Sequence, residues 1–386
     1  MANGKSPSAV RPTAAIVLAA GDGTRMLSQI PKVLHALYGK PLIGHVLDAI
    51  RGAGVHRIVA VVGYRSDLVR SHLGSAVQTV VQKRLRGTAH AVQRAEPLLK
   101  HFAGDVVILY GDTPLLTAQT VKGLIDAHRR EQAVCTMLTA VLQESTGYGR
   151  VVRDHTGQIV RIIEDADATP MEKQIEEINV GAYCINARRL FQVLRQIRPA
   201  PNGEYYLTDA IALLVRQGVR IASASTRSVG EFLGINTRAD LARVQTIMRT
   251  RVLEHFMLTG VTIIHPYTTY IYQGTRIGQD TVIFPNTVIK DDVTIGRGCQ
   301  IGPFCRLGTG TTLGNRVRIE SFVDVTHGVR IGDGACMASG TILVGPLTIR
   351  PGARTVPGSV LTGRRGVAEP LTVVRMPRHH GLAKEA

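Results

Sequence analysis

The sequence predicts two domains: an α/β domain built on a doubly wound, mostly parallel sheet, followed by a parallel β-helix of six-residue repeats. Three observations carry this. From Thr13 to about Gly230, β-branched apolar runs of five to seven residues alternate with amphipathic stretches. From Ile271 onward, an aliphatic residue recurs at every sixth position. The composition sets 40 glycines against no tryptophan and 4% aromatic residues, which suits repeated turns better than an aromatic-packed core throughout. At 386 residues the chain is too long for one ordinary core and about right for two domains.

Residues 1–12 read as a flexible N-terminus, and residues 13–237 as the α/β domain. Within it, Ala14–Ala20, Ile58–Val62 and Val106–Tyr110 are unbroken apolar runs. Such runs mark strands buried on both faces. The amphipathic stretches Pro41–Ala53 and Gly87–Leu99 lie between them, giving the βαβ alternation whose ligands bind at the carboxyl ends of the strands. Residues 238–260 form a linker, with Arg238–Leu258 reading as one long helix. Residues 261–363 form the β-helix. Its register runs through Ile271, Ile277, Ile283, Ile289, Ile295, Ile301, Leu307, Leu313, Ile319, Val325, Ile331, Met337, Leu343 and Ile349, with glycine following many of them. A period of six fits neither an α-helix nor simple alternation, but it fits a solenoid with one inward aliphatic per repeat. Residues 364–386 read as a C-terminal tail.

Charge and cysteine usage narrow the function. The net charge is +17, but basic residues are spread evenly along the chain and no basic arm stands out. Without a nucleic-acid motif or an aromatic platform, a nucleic-acid partner is not expected. Phosphorylated small substrates are another class of partner that such a charge allows. The five cysteines have no CxxC spacing and are odd in number, which points to a reduced, cytoplasmic chain. No run approaches the ~20 apolar residues that span a bilayer, so membrane insertion is not expected.

The first strand leads into Leu18-Ala19-Ala20-Gly21-Asp22-Gly23-Thr24-Arg25-Met26, then Pro31-Lys32-Val33-Leu34. Small residues let backbone N–H groups approach a phosphate, and Arg25 and Lys32 add two cations. No Walker Gly-Lys-Ser/Thr follows, and the third glycine of the dinucleotide fingerprint is missing. Further landmarks follow in order: Gln82 with Gly87-Thr88-Ala89-His90-Ala91, Tyr110-Gly111-Asp112-Thr113-Pro114-Leu115, and Gly147-Tyr148-Gly149-Arg150. Glu164 precedes Asp167-Ala168-Thr169, and Glu177-Ile178-Asn179, Glu204-Tyr205-Tyr206-Leu207-Thr208-Asp209 and Gly234-Ile235-Asn236 complete the set.

In these blocks, from about Ala14 to about Phe322, the chain resembles the sugar-phosphate nucleotidyltransferases. The nearer likeness is to the uridyltransferase half of the bifunctional bacterial enzymes that make UDP-N-acetylglucosamine and also acetylate glucosamine 1-phosphate. The resemblance implies a Rossmann-like nucleotidyltransferase domain and a left-handed hexapeptide β-helix that assembles as a homotrimer. It implies UTP and a sugar 1-phosphate as substrates and Mg²⁺ as cofactor, held by Asp112 and Asn236. Arg25, Lys32 and Asp112 would be catalytic. Leu18, Ala20, Gly21, Gly23, Gln82, Gly87 and Thr88 would hold the nucleotide, and Gly111, Gly149, Glu164, Asn179 and Tyr206 the sugar.

The chain departs from the family at Leu85, where a second glutamine is usual, at Arg86 and Ala89 in the same loop, and at Val180 after Asn179. Glucose 1-phosphate or dTTP therefore stay open as alternative substrates. His327 is the one histidine in the repeat tract 271–349; it reads as a surface corner residue. No histidine stands where acetyl transfer needs one, so the second activity is expected to be absent, with a bifunctional enzyme that retains acetyl transfer as the alternative.

Overall fold

A computed structural model describes residues 11–143, 147–226 and 230–363. The predicted N-terminus falls outside these residues except for Arg11 and Pro12, and the tail 364–386 lies wholly outside them. The chain forms two compact units, which divide at Val244/Gln245, inside the predicted linker helix.

The first unit opens with β1 (Thr13–Ala19), a short hairpin of β2 (Ala36–Leu37) and β3 (Lys40–Pro41), and α1 (Leu42–Gly52). Then come β4 (Arg57–Val62), α2 (Ser66–Leu73), β5 (Gln78–Val81), α3 (Thr88–Arg94) and α4 (Glu96–Leu99). They are followed by β6 (Asp105–Tyr110), α5 (Ala118–Arg130), β7 (Cys135–Val141) and the hairpin β8 (Arg150–Arg153) with β9 (Ile159–Ile163). The unit closes with β10 (Glu177–Asn186), α6 (Ala187–Leu194), α7 (Thr208–Arg216), β11 (Ile221–Ser225) and the start of α8 (Arg238–Leu258).

The strands form one sheet in the order β11-β7-β10-β6-β1-β4-β5, with β8 and β9 attached to β10. All pairings along the main path are parallel except those of β10, which runs against both β6 and β7. Alternate residues of β1 feed two separate cores. Ala14, Ile16 and Leu18 pack with residues of α3, α6 and α7; Ala15, Val17 and Ala19 pack with residues of α1, α2 and α5. Burial on both faces is why this strand reads as unbroken apolar sequence. The sheet is doubly wound and mostly parallel, as the sequence predicts. The predicted stretch Gly87–Leu99 is instead two helices, separated at Ala95. Pro97 sits in the first turn of α4, where its missing N–H is tolerated, whereas it cannot sit inside a continuous helix.

In the second unit, two- and three-residue strands stack into three parallel sheets. From Tyr270 on, partners lie 18 residues apart, as in Tyr270 with Val288 and Ile342 with Val360, so three six-residue repeats make one coil. Every residue of the predicted register is buried except Ile277, which is partly so. Cys299 and Cys305 fill small interior positions, and their thiols donate to the carbonyls of Gly314 at 3.2 Å and Glu320 at 2.8 Å. All five cysteines are unpaired, and no described helix is long and apolar enough to cross a membrane.

The repeat glycines answer two different demands. A Cβ on Gly296 would lie 2.5 Å from the Gly314 carbonyl oxygen of the next coil, so this position needs bare backbone. Gly334 has φ +66 and open space around it, so it serves a left-handed corner. Gly334→Ala should cost ~1–2 kcal/mol, the ordinary strain of a left-handed side chain. Gly296→Ala should cost more, about 3 kcal/mol, because backbone must move. Denaturant melts of the two variants check this; equal losses would remove the close-approach explanation.

Candidate active site

β1 is flanked by β4 on one side and β6 on the other, so the chain leaves these neighbours toward opposite faces and a crevice opens at their carboxyl ends. Leu18 and Gly111 meet there, the Gly111 N–H donating to the Leu18 carbonyl at 2.9 Å. A Cβ on Gly111 would lie 3.2 Å from both that oxygen and Val33 Cγ1, so glycine keeps the two strand ends close. Ala20 is buried and its carbonyl accepts from the Tyr64 N–H at 3.2 Å. Gly21 is exposed with open space around it. Gly23 has φ +63, and a Cβ there would fall 2.8 Å from Lys32 Cβ, so its bareness lets Lys32 fold back against the loop.

Four predicted residues converge at this crevice. The Lys32 ammonium pairs with the Asp112 carboxylate and donates to Asn236 Oδ1 at 3.2 Å. Arg25 donates to the same Asn236 oxygen at 3.0 Å. Asn236 comes from far along the chain, and its place follows from backbone: the Ile235 N–H donates to the Asp112 carbonyl at 3.0 Å. One residue further on, Thr237 and Asp240 cap α8 reciprocally, with Asp240 Oδ2 accepting from the Asn236 and Thr237 amides. Burial pushes the Asp240 carboxyl up, but the Thr237 hydroxyl and these amides outweigh it and hold its pKa below the usual value.

Asp112 and Asn236 therefore already share a cation, the Lys32 ammonium, between a carboxylate and an amide oxygen. Two hard oxygen donors on one positive group fit Mg²⁺, which takes one or two protein oxygens and completes its shell with phosphates and water. Among the described residues no group of three or more His, Cys, Asp or Glu side chains could hold a metal.

The predicted nucleotide and sugar residues flank this cluster. Gln82 is buried at 4% exposure, and its carboxamide donates to the Gly87 carbonyl at 3.1 Å and contacts His90 Nδ1 at 2.9 Å. Gly87 has φ +88, and a Cβ there would lie 2.5 Å from the Tyr205 carbonyl oxygen. The Thr88 hydroxyl accepts from the Leu207 N–H at 2.9 Å. Loop 86–89 is thus stitched to segment 205–207, also through Tyr205 N–H to Arg86 O and Ala89 N–H to Tyr205 O, both 2.9 Å. Asn179 donates to the Tyr183 hydroxyl at 2.7 Å and accepts from the Gly181 N–H at 3.0 Å. It stands where the register of β10 shifts, between Asn179 and Tyr183, and such a bulge re-aims a side chain. The Gly149 carbonyl accepts from the Asn179 N–H at 2.8 Å. Tyr206 is half-buried, its hydroxyl accepting from Asn202.

Residues 15–209 match the MobA-like NTP transferase domain. The chain belongs to this family. Residues 274–309 match the bacterial transferase hexapeptide of six repeats. The chain is 45% identical to the bifunctional protein GlmU of Pelotomaculum thermopropionicum over 70% of its own length and 59% of the relative's. It is likewise 45% identical to that of Halalkalibacterium halodurans and 44% to that of Enterococcus faecalis, each over 69% of this chain and 59% of the relative. The chain thus spans well under two thirds of the length of these relatives.

Within the first unit, two residues escaped the sequence reading. Glu231 is buried at 7% exposure, and its carboxylate accepts from the hydroxyls of Thr117, Thr120 and Thr226. It ties the segment leading to Asn236 onto the start of α5. No local pattern signals it, because burial and all three partners come from the fold. His90 lies in a recognised motif, but its bond to Gln82 depends on how α3 meets the preceding loop. Two departures also find a place: Leu85 is exposed at 45%, and Val180 packs against the cluster of Ala140, Ile178 and Phe232. A cleft of about 760 Å³ lined by Lys100, Gly104, Asn186 and Arg188 lies at the other end of β6 and β10. It contains none of the predicted residues, so the convergence at Asp112, not cavity volume, marks the site.

Glu164 accepts from the Thr208 hydroxyl at 3.0 Å. Burial raises its carboxyl above the usual value, the Thr208 bond opposes this, and Asp167 and Asp209 add to the rise. A carboxyl raised in the folded state contributes stability at acid pH that is lost as pH climbs through the raised value. Glu164→Gln should therefore melt higher than wild type near neutrality, with the gap closing toward acid. Melting temperatures between about pH 4 and pH 8 read this, and a gap that does not change with pH would contradict it.

Proposed function

We propose that the chain transfers the uridylyl group of UTP to N-acetylglucosamine 1-phosphate, giving UDP-N-acetylglucosamine and pyrophosphate. The observation that carries this reading is the meeting of Arg25, Lys32, Asp112 and Asn236 at the carboxyl ends of β1 and β6, within a domain of the NTP transferase family. An oxygen of the sugar phosphate attacks the α-phosphorus of UTP in line. The bond to the bridging oxygen breaks, and pyrophosphate leaves with its electron pair. Both reactants are polyanions, so positioning and charge neutralisation supply most of the catalysis.

Arg25 is exposed at the mouth of the site and suits the β- and γ-phosphates and the departing pyrophosphate. Lys32, more enclosed, suits the α-phosphate, where charge develops. Mg²⁺ on Asp112 and Asn236 would neutralise charge between the two phosphate groups. The Lys32 ammonium, paired with Asp112 in this structure, can turn to the substrate phosphates. Leu18, Ala20, Gly21 and Gly23 offer backbone, and Gln82, Gly87 and Thr88 form the base loop. Gly111, Gly149, Glu164, Asn179 and Tyr206 surround the sugar. Glu164 and Asn179 can hydrogen-bond hydroxyl or acetamido groups, which favours a hexosamine.

The β-helix is read as an assembly scaffold that gives a homotrimer. Uniform 18-residue coils run on both sides of the exposed corner residue His327 without an inserted loop, and this supports a chain without acetyl transfer. Phe304 and Phe322, on one corner, stack at 5.0 Å while remaining 51% and 63% exposed, an apolar pair suited to burial between copies. The unpaired cysteines suit a cytoplasmic protein.

A panel of UTP, dTTP and CTP against N-acetylglucosamine, glucosamine and glucose 1-phosphates should release pyrophosphate best from UTP with N-acetylglucosamine 1-phosphate. Asp112→Ala should lower this rate by at least ~10³-fold with the melting profile kept. Acetyl-CoA with glucosamine 1-phosphate should yield no free thiol. Silence across the panel, or normal turnover by Asp112→Ala, would refute the assignment. Mass photometry should find three copies of the 41.7 kDa chain; a monomer would remove the scaffold role.

A further inference from the structure

The base loop contains a hydrogen-bond relay whose direction can be worked out atom by atom. The Gly87 carbonyl can only accept, so the Gln82 atom 3.1 Å from it is the amide nitrogen Nε2. That same nitrogen lies 2.9 Å from His90 Nδ1. Nδ1 must then accept, and the imidazole proton sits on Nε2 of the ring. Both N–H groups of the carboxamide are thereby consumed inside the chain. Its oxygen, on the opposite side of the amide carbon, has no partner among the described residues. At 4% exposure the side chain has little water to exchange partners with, and its backbone is pinned by a 2.8 Å bond from the Gln82 N–H to the Val62 carbonyl.

We infer that His90 is a positioning residue that fixes the Gln82 carboxamide so that it offers an oxygen, and no N–H, to the nucleotide base. This selects a pyrimidine that carries an N3–H donor over one whose N3 is a bare acceptor. The inference deepens the proposed uridylyl transfer and rests on it. Uracil presents N3–H to the oxygen, whereas cytosine presents a lone pair and is repelled. Thymine shares the N3–H, so this device separates UTP from CTP and leaves dTTP to other contacts. His90 touches Gln82, not the base, and acts through it.

The surroundings keep the imidazole neutral. Burial lowers its pKa, and Arg94 on its own helix and Arg86 in the preceding loop lower it further. The Tyr205 ring, from segment 205–207, faces it at 6.5 Å. Protonation would place a second donor at Nδ1 against the amide nitrogen. The carboxamide would then have to flip, setting its oxygen against the Gly87 carbonyl and turning N–H groups toward the base. Discrimination should therefore be full at neutral pH and fall as pH drops below the ordinary histidine range.

The test compares kcat/KM for UTP and CTP with one sugar phosphate in wild type, His90→Leu and His90→Asn. His90→Leu should shrink the UTP-to-CTP ratio by about 10-fold, the loss falling on KM for UTP rather than on kcat. His90→Asn, whose amide oxygen can accept in place of Nδ1, should keep the ratio within about threefold of wild type. Between about pH 8 and pH 5 the wild-type ratio should fall, while that of His90→Asn stays level. An unchanged ratio in folded His90→Leu, or a wild-type ratio independent of pH, overturns the assignment. Should His90→Leu melt early, the pH profiles of wild type and His90→Asn decide. A wild type that does not use UTP overturns the uridylyl-transfer reading and this inference with it; one that uses UTP but fails these comparisons overturns the inference alone.

Discussion

The parallel pairing of β1 with β6, Leu18 beside Tyr110, is the constraint on which the chemistry depends. It places the glycine loop after one strand against the Asp112 turn after the other. From that juxtaposition follows the contact of Lys32 with Asp112. An ion pair this enclosed is weak evidence for stability, because desolvating both charges offsets much of their attraction. Its value is better understood as pre-organisation. The lysine draws a carboxylate and an amide oxygen onto one positive group and so keeps the two acceptors together.

Around this centre the fold spends backbone hydrogen bonds on fixing distant segments. Asn236 is held from both sides, by the Ile235 amide on the Asp112 carbonyl and by the cap at the start of α8. Glu231 adds a buried anchor upstream. Loop 86–89 and segment 205–207 are joined in the same manner, through Tyr205 and Leu207. Several residues expected to touch substrate thus also hold the site together. Gly87 makes room for the Tyr205 backbone, and Thr88 satisfies the Leu207 amide. Substitution at either position would disturb geometry as well as contact.

The β-helix has a simpler logic. Each coil repeats the one before, so its requirements repeat: an inward aliphatic, a small interior residue, and bare backbone where coils approach most closely. Thr281, Cys299 and Thr311 occupy the small interior positions, and each donates to a carbonyl 15 residues further along the chain. Cys299 and Cys305 are therefore alternatives to threonine within a ladder. The many glycines divide between this stacking and the loops of the transferase domain.

The sequence by itself determined the solenoid almost completely, because a six-residue period is local and a single inward aliphatic writes it openly. It also determined the strand cores, since burial on both faces leaves unbroken runs such as Ala14–Ala20, and its ordered motifs named the residues that meet at the candidate site. It could not decide which strands are neighbours. The order that sets β6 beside β1, and turns β10 against both its partners, depends on non-local pairing that no local pattern encodes. Glu231 and the relay from His90 to Gln82 belong to the same class. Their roles depend on which hydrogen-bonding groups are brought together, and only the packed chain decides that.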